Sequence, residues 1–335
     1  MSDFVFDGGF NDLCATTRVR LARNLKGYPY RNLSDEKKNE IADKVMTAIA
    51  AAPAISSQFT RQTLRPNDPA SAALVERHLI SPDFARMGGP LITTADGGVS
   101  IMIGEEDHLR IQILGHGLCP RECMDAGRRL ASLIEAGAPM DYSEQLGYLT
   151  ACPSNLGTGL RASVMLHLPV LASNGGLNQL INRAARQGFT VRGAYGEGSQ
   201  AVGGFYQLSN QITLGLSEDA ILDRLIDMAT ETITMEKRAR EELRAANEPA
   251  LADKICRAVG ALQTARLMTS SEALDNLSFA LMGVQLGYCT GVTGQELVAA
   301  EQASRPALLP GDANERDLAR AKNLRAVAKK IILSE

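Results

Sequence analysis

Four short stretches of the sequence concentrate side chains able to do chemistry. In Thr17-Arg18-Val19-Arg20-Leu21-Ala22-Arg23, an extended backbone would put Arg18 and Arg20 on one face, because strand side chains alternate with period two. Two guanidiniums pointing the same way suit an anion with several oxygens. On a helix they would only be solvated charges. Glu105-Glu106-Asp107-His108 follows an apolar run, Val99–Ile103. Mutual repulsion among three adjacent acids raises the expected pKa of at least one, which would suit it to act as a base or to hold a cation. The same run also suits a charged turn at a sheet edge. Cys152-Pro153-Ser154-Asn155-Leu156-Gly157-Thr158-Gly159-Leu160-Arg161 reads either as a tight loop offering backbone N–H groups to an anion or as an ordinary turn. It lacks the Gly-Lys-Ser/Thr ending of a P-loop. Arg192-Gly193-Ala194-Tyr195-Gly196-Glu197-Gly198-Ser199-Gln200 reads as a glycine-rich lid or a plain hairpin connection.

Taken together the four are more specific. Arg18, Arg20, Arg110 and Arg161 would clamp a polyphosphate, and the acid run would hold a cationic second substrate. That pairing fits phosphoryl transfer from a nucleotide to a guanidine or an amine.

Elements must hold these groups in place. Ser34-Asp35-Glu36 caps a predicted helix whose apolar positions are Ile41, Val45 and Ile49. Leu91–Thr94 and Val99–Ile103 read as a hairpin around Asp96-Gly97-Gly98. Leu109–Ile113 alternates as a third strand. Pro120 starts a helix through Met124, Leu130 and Ile134. Val164–Leu168 reads as a strand ended by Pro169. A helix through Leu177, Leu180 and Ile181 stops at Gly188, and a last β region spans Phe189–Leu214. After about residue 216 the chain turns helical, with a long helix from Ser217 stopped by Pro249. Further helices are predicted over Leu251–Met268, Ser271–Leu286 and Asp317–Ile332. The expected class is α+β: an antiparallel sheet flanked by helices, then an all-helical C-terminal domain. The boundary is placed at 216/217, with room to extend the first domain to about 240.

Composition narrows the function classes. With 45% hydrophobic and 22% charged residues, the chain is an ordinary globular one. A net charge of −3 argues against nucleic-acid binding by bulk charge. No apolar run is long enough to span a membrane, and the N-terminus lacks the charge and apolar pattern of a signal peptide. Six irregularly spaced cysteines read as cytosolic thiols.

The stretches Thr17–Arg23, Gly104–Arg110, Cys152–Pro169 and Gly203–Asn210 together resemble the phosphagen kinase (ATP:guanido phosphotransferase) family, and the resemblance covers nearly the whole chain. Within that family the chain is most similar to the bacterial enzymes that phosphorylate arginine in proteins. Three features carry this. The nucleotide motif starts almost at once, Arg192–Gly198 has Tyr195 in place of an arginine, and Arg316-Asp317-Leu318-Ala319-Arg320-Ala321 matches a phosphoarginine-sensing motif. The resemblance implies an ATP site at Thr16, Thr17, Arg18, Val19, Arg20, His78, Arg110, Arg161, Ala162, Ser163, Val164, Met165, Arg192, Gly193, Ala194, Tyr195, Gly196 and Glu197. His78 would lie near the adenine. It implies Glu106 as the carboxylate that takes the acceptor's proton, Glu105 as its support and Cys152 as a thiol beside the acceptor. Mg²⁺ would ride on the nucleotide, with no direct protein ligand.

Two positions depart from the family pattern. Gly104 stands where an asparagine is usual, which would loosen the loop. Gln200 stands where a second carboxylate is usual, and an amide can accept a hydrogen bond but cannot act as a base. The implied activity is ATP-dependent phosphorylation of protein arginines, marking proteins for Clp-type degradation under stress. The alternatives are a catalytically weak phosphoarginine-binding adaptor and a small-molecule guanidino kinase. Implied partners are proteins with exposed arginines, an activator protein, a Clp ATPase-protease and a second copy of the chain. A cytoplasmic setting is implied, with no nucleic acid or membrane. A phosphoarginine site is implied at Arg316, Asp317, Arg320 and Ala321, where Arg316 and Arg320 would fall one helical turn apart.

Overall fold

A computed structural model describes residues 4–194 and 201–334. The chain folds into two compact units, and neither is a continuous segment.

The first unit comprises residues 1–8, 16–163 and 209–226. Its strands are β1 (Cys14–Arg23, from Thr16 on), β2 (Phe59–Leu64), β3 (Gly89–Thr94), β4 (Val99–Ile103), β5 (Leu109–His116) and the first half of β8 (Leu160–His167), with a small separate hairpin, β6 (Tyr142–Ser143) and β7 (Gly147–Tyr148). The main strands run in the order β2-β3-β4-β5-β1-β8. β4 pairs antiparallel with β5, and β5 with β1, in the register Ala22↔Arg110, Arg20↔Gln112, Arg18↔Leu114. That register sends the even-numbered side chains of both strands to one face, because directly opposed residues share a face. Thr17, Val19 and Leu21 point the other way and are buried. The helices Asp35–Ala50 and Pro120–Gly137 begin where Ser34 and Pro120 predict. The Ser34 side chain accepts the N–H of Lys37.

The second unit comprises residues 9–15, 164–208 and 227–335. It holds the rest of β8, then β9 (Phe189–Gly193) and β10 (Phe205–Asn210), in the order β8-β10-β9. Its helices include Gly176–Arg186, Glu248–Thr264, Ser270–Leu286, Gly294–Ala303 and Ala313–Ala328. Pro249 sits in the first turn of Glu248–Thr264 and not at the end of its predecessor, which already stops at Ala246. Proline is favoured there because a first-turn N–H has no helical partner to lose. The helix predicted from Asp317 starts earlier, at Ala313. Asp312 and Glu315 form a reciprocal capping box there. Glu236 is fully buried, accepts the N–H groups of Val170 and Leu171, and pairs with Arg240 at 2.7 Å. Among the described residues no helix is long and apolar enough to cross a membrane.

Candidate active site

The cation face of β1 is assembled by the sheet register. Arg18 and Arg20 alternate with buried neighbours, and Arg110 lies across from Ala22, diagonal to Arg20. Arg18, Arg20, Arg110 and Arg161 are close enough to raise one another's cost of charge. Burial first, then Arg110 and Arg161, push the Arg18 guanidinium down to about 10. Burial, then Arg18, Arg110 and Arg161, push Arg20 the same way, while Glu105 opposes the shift. Guanidiniums stay protonated at neutral pH, so four of them gathered this way form a site for a polyanion. Gln112, buried on the same face as Arg110, donates to the backbone carbonyls of Leu79 (2.9 Å) and His78 (3.3 Å), which ties the backbone at His78 to β5.

The acid run sits beside it, and its three carboxylates have three different surroundings. The Glu105 side chain is buried, ion-paired to Arg110 and hydrogen-bonded by the Ser81 hydroxyl. Burial pushes its pKa up, but Arg110 and the Ser81 hydroxyl outweigh this, and the carboxyl lies below its usual range. The expected upward shift from mutual repulsion is therefore corrected for Glu105: its nearest charge is a cation, not a neighbouring acid. Asp107 is buried and accepts three hydrogen bonds, from Asn24 Nδ2 (2.9 Å), the Ala151 N–H (2.6 Å) and Asn155 Nδ2 (3.0 Å). Glu106 alone is exposed. His108 Nδ1 accepts the Leu25 N–H at 2.9 Å, so Nε2 carries the proton it donates to Pro29 O. This bonding holds the turn from behind.

Glu105, Glu106 and Cys152 line one cavity of about 440 Å³, together with Tyr30, Lys38 and Met87. The Cys152 Sγ lies 3.0 Å from Ser154 Oγ. The loop after it is not an anion cradle, contrary to one reading of its sequence. The N–H groups of Asn155, Leu156, Gly157 and Thr158 are spent on Cys152, Pro153, Tyr148 and Thr213 carbonyls, and that of Leu160 on the Thr158 hydroxyl. Gly104 has φ +71 and closes the turn through its N–H to His108 O. Glycine and asparagine are the residues that enter this left-handed region most readily, so the exchange keeps the turn instead of loosening it.

The other expected site residues divide between the two units. Val164 and Met165 on β8, and Arg192, Gly193 and Ala194 at the end of β9, belong to the second unit. Thr16, Ala162 and Ser163 stay with the first, beside Arg161. Tyr195, Gly196, Glu197 and Gln200 lie outside the described residues. Within the second unit Arg316 is partly exposed and donates to Gly311 O at 3.2 Å. Arg320 is buried, donating to Ser304 O and Met268 O (2.8 Å each) and to Asp317. Ala321 is buried beside it in the helix. Asn24, Ser81 and Tyr30 carry the site but sequence reading passed over them. Asn24 stands directly after the Arg23 that ends the recognised motif, and Ser81 is readable as a helix cap before Pro82, yet neither signals a carboxylate partner.

The model of the ATP:guanido phosphotransferase C-terminal catalytic domain matches residues 40–239. The chain belongs to this family. A second model, the protein-arginine kinase McsB C-terminal domain, matches residues 248–332. A protein-arginine kinase of Desulforamulus reducens is 41% identical over 334 residues, covering 95% of this chain and 92% of that protein. One of Clostridium acetobutylicum is 38% identical over 291 residues, covering 86% of each. Among solved phosphagen kinases, lombricine kinase is similar with TM-score 0.59 and 26% identity over 71% of this chain and 69% of that one. The duplicated taurocyamine kinase of Schistosoma mansoni has TM-score 0.61 and 25% identity, over 78% of this chain and 38% of its own. As an ATP:guanido phosphotransferase the chain uses ATP and a guanidino acceptor, which is what the cation face and the acid-lined cavity separately call for.

Proposed function

We propose that this phosphotransferase acts on arginine side chains of proteins. The likeness to protein-arginine kinases along nearly the whole chain carries the choice of acceptor. At the site, Glu105 lines the acceptor cavity and is ion-paired to Arg110 of the nucleotide face, so the two half-sites share one contact. The phosphates of ATP bind Arg18, Arg20, Arg110 and Arg161, which supply positive charge to a loose transition state. The acceptor guanidinium enters the cavity beside Glu106 and Cys152. A guanidine nitrogen attacks the γ-phosphorus, the bond to the bridging oxygen breaks, ADP leaves, and the nitrogen's proton passes to Glu106. Glu105 keeps Arg110 in place. Mg²⁺ would arrive with the nucleotide and would supply further positive charge to the transferring phosphoryl group.

In this proposal catalysis lies in the first domain, 1–216 extended to about 240, and dimerisation and phosphoarginine sensing in the helical remainder. The matched ranges 40–239 and 248–332 support the extended boundary near 240. At the sensing site Arg316 is the accessible guanidinium. Asp317 and the buried Arg320 shape the turn beside it, with Ala321 behind. We extend the same proposal to a cytoplasmic protein working with an activator and a Clp ATPase-protease in protein quality control.

The test is transfer of γ-³²P from ATP to an unfolded protein and to free arginine, with Glu106→Gln as control. Acid-labile label on the protein that disappears in Glu106→Gln supports the reading. Label on free arginine alone returns the assignment to a small-molecule kinase, and phosphoarginine binding without transfer returns it to an adaptor.

A further inference from the structure

An arginine that belongs to a protein brings its neighbours with it, and the segments bonded to the loop after Cys152, which itself lines the acceptor cavity, carry exposed apolar side chains. There Leu146 (43% exposed), Ile212 (46%), Leu214 (48%) and Tyr142 (53%) all present apolar surface to solvent. Isolated exposed apolar side chains are ordinary, but several in one place mark a binding surface. Gly157 shows that these belong together. It pairs with Tyr148 of the β6–β7 hairpin, and its backbone lies so close to Thr213 and Leu214 that a Cβ there would come within 2.5 Å of Thr213 O and 2.9 Å of Leu214 Cα.

The patch is tied to the cavity wall. The buried Thr213 hydroxyl reaches the carbonyls of Ser154 (3.0 Å) and Leu156 (2.7 Å), and Ser154 Oγ touches the Cys152 Sγ. Ile212 and Leu214 flank this anchor, so their backbone is held while their side chains face water. The Ile212 carbonyl is itself bonded by Asn210 Nδ2 at 3.1 Å. Tyr142 stands edge-on to Tyr148, ring centres 5.2 Å apart. A surface held this way loses little freedom on binding.

We infer that Tyr142, Leu146, Ile212 and Leu214 form a docking surface for the polypeptide on either side of the target arginine, selecting segments with apolar side chains next to it. The inference rests on the proposed action on protein arginine and names the substrate class. A free guanidino compound has nothing to lay on this surface.

Two short peptides decide it, each with one arginine: one flanked by glycines, the other by leucine and phenylalanine. Wild type should show kcat/KM about tenfold higher for the apolar peptide, the advantage lying in KM, which corresponds to about 1.4 kcal/mol. In Ile212→Ser with Leu214→Ser the ratio should fall to about twofold or less, with the glycine peptide turned over as in wild type. Leu146→Ser, on a separate hairpin, is the second variant and should lower the ratio independently. Equal kcat/KM for both peptides in wild type, or an unchanged ratio in both variants, overturns the docking surface and leaves arginine phosphorylation standing. Failure of wild type to phosphorylate either peptide overturns the underlying reading, and the surface with it.

Discussion

The carboxylate of Asp107 accepts the backbone N–H of Ala151 at 2.6 Å, one residue before Cys152. It also holds Asn155 from the far end of the same turn and Asn24 from the end of β1. The last acid of the run is therefore a fastener, and the loop that carries the thiol takes its position from it.

Asp107→Ala should remove one hydrogen bond from each of those three donors, with Asn24 alone keeping another, to the Leu149 carbonyl at 3.1 Å. The expected cost is on the order of 3 kcal/mol in stability, with kcat down at least about tenfold and nucleotide affinity little changed. Denaturant titration and calorimetry with an ATP analogue check both halves.

Glu106 is the exposed carboxylate of the cavity and is free to meet an incoming guanidinium. Glu106→Gln should lower kcat by about 10²-fold or more while ATP binds normally. Single-turnover transfer measures this directly. Retained turnover would move proton acceptance elsewhere.

Glu105 gives a pH signature. Its folded pKa lies below the unfolded value of about 4.3, so its contribution to stability is complete above that value and is lost as pH falls through the folded one. The Tm difference between wild type and Glu105→Gln should be largest near pH 7 and should close as the solution is acidified below about pH 4. A gap constant down to pH 3 would mean that Glu105 is not held by charge.

Arg320 and Arg316 should separate cleanly. Arg320→Ala removes bonds to two buried carbonyls and strands Asp317, with a loss on the order of 3 kcal/mol. Arg316→Ala should leave Tm unchanged and, at the proposed sensing site, weaken phosphoarginine binding measured with the catalytic site filled by an ATP analogue. Equal phosphoarginine affinity in wild type and Arg316→Ala would remove that site.

Gly104→Asn should be near neutral in activity and stability, while Gly104→Val should cost more than about 1 kcal/mol, because a β-branched residue resists positive φ. Urea midpoints of the two variants show the order.

Much of the site was legible because it depends on spacing. Period two put Arg18 and Arg20 on one face, and helix caps at Ser34 and Pro120 marked their elements. What was not legible depends on register and on partners distant in sequence. Nothing in Glu105-Glu106-Asp107 says that the first meets Arg110, the second meets water and the third meets Asn24, because those assignments are made by the turn at Gly104 and the β1–β5 pairing. The strand Phe59–Leu64 was invisible for another reason: only Phe59 is buried, so no alternation is written in it. The loop amides after Cys152 left cradle and ordinary turn both open, because their acceptors include Tyr148 and Thr213, which no local pattern reveals.

The four guanidiniums on one face make the nucleotide part of the fold's own charge balance. Like charges held together raise the free energy of the empty protein, and an arriving polyanion removes that penalty in proportion to its charge. Tripolyphosphate should thus harden the protein against heat more than pyrophosphate, and pyrophosphate more than phosphate, at matched ionic strength. A cell whose ATP runs down would hold this enzyme not merely idle but softened.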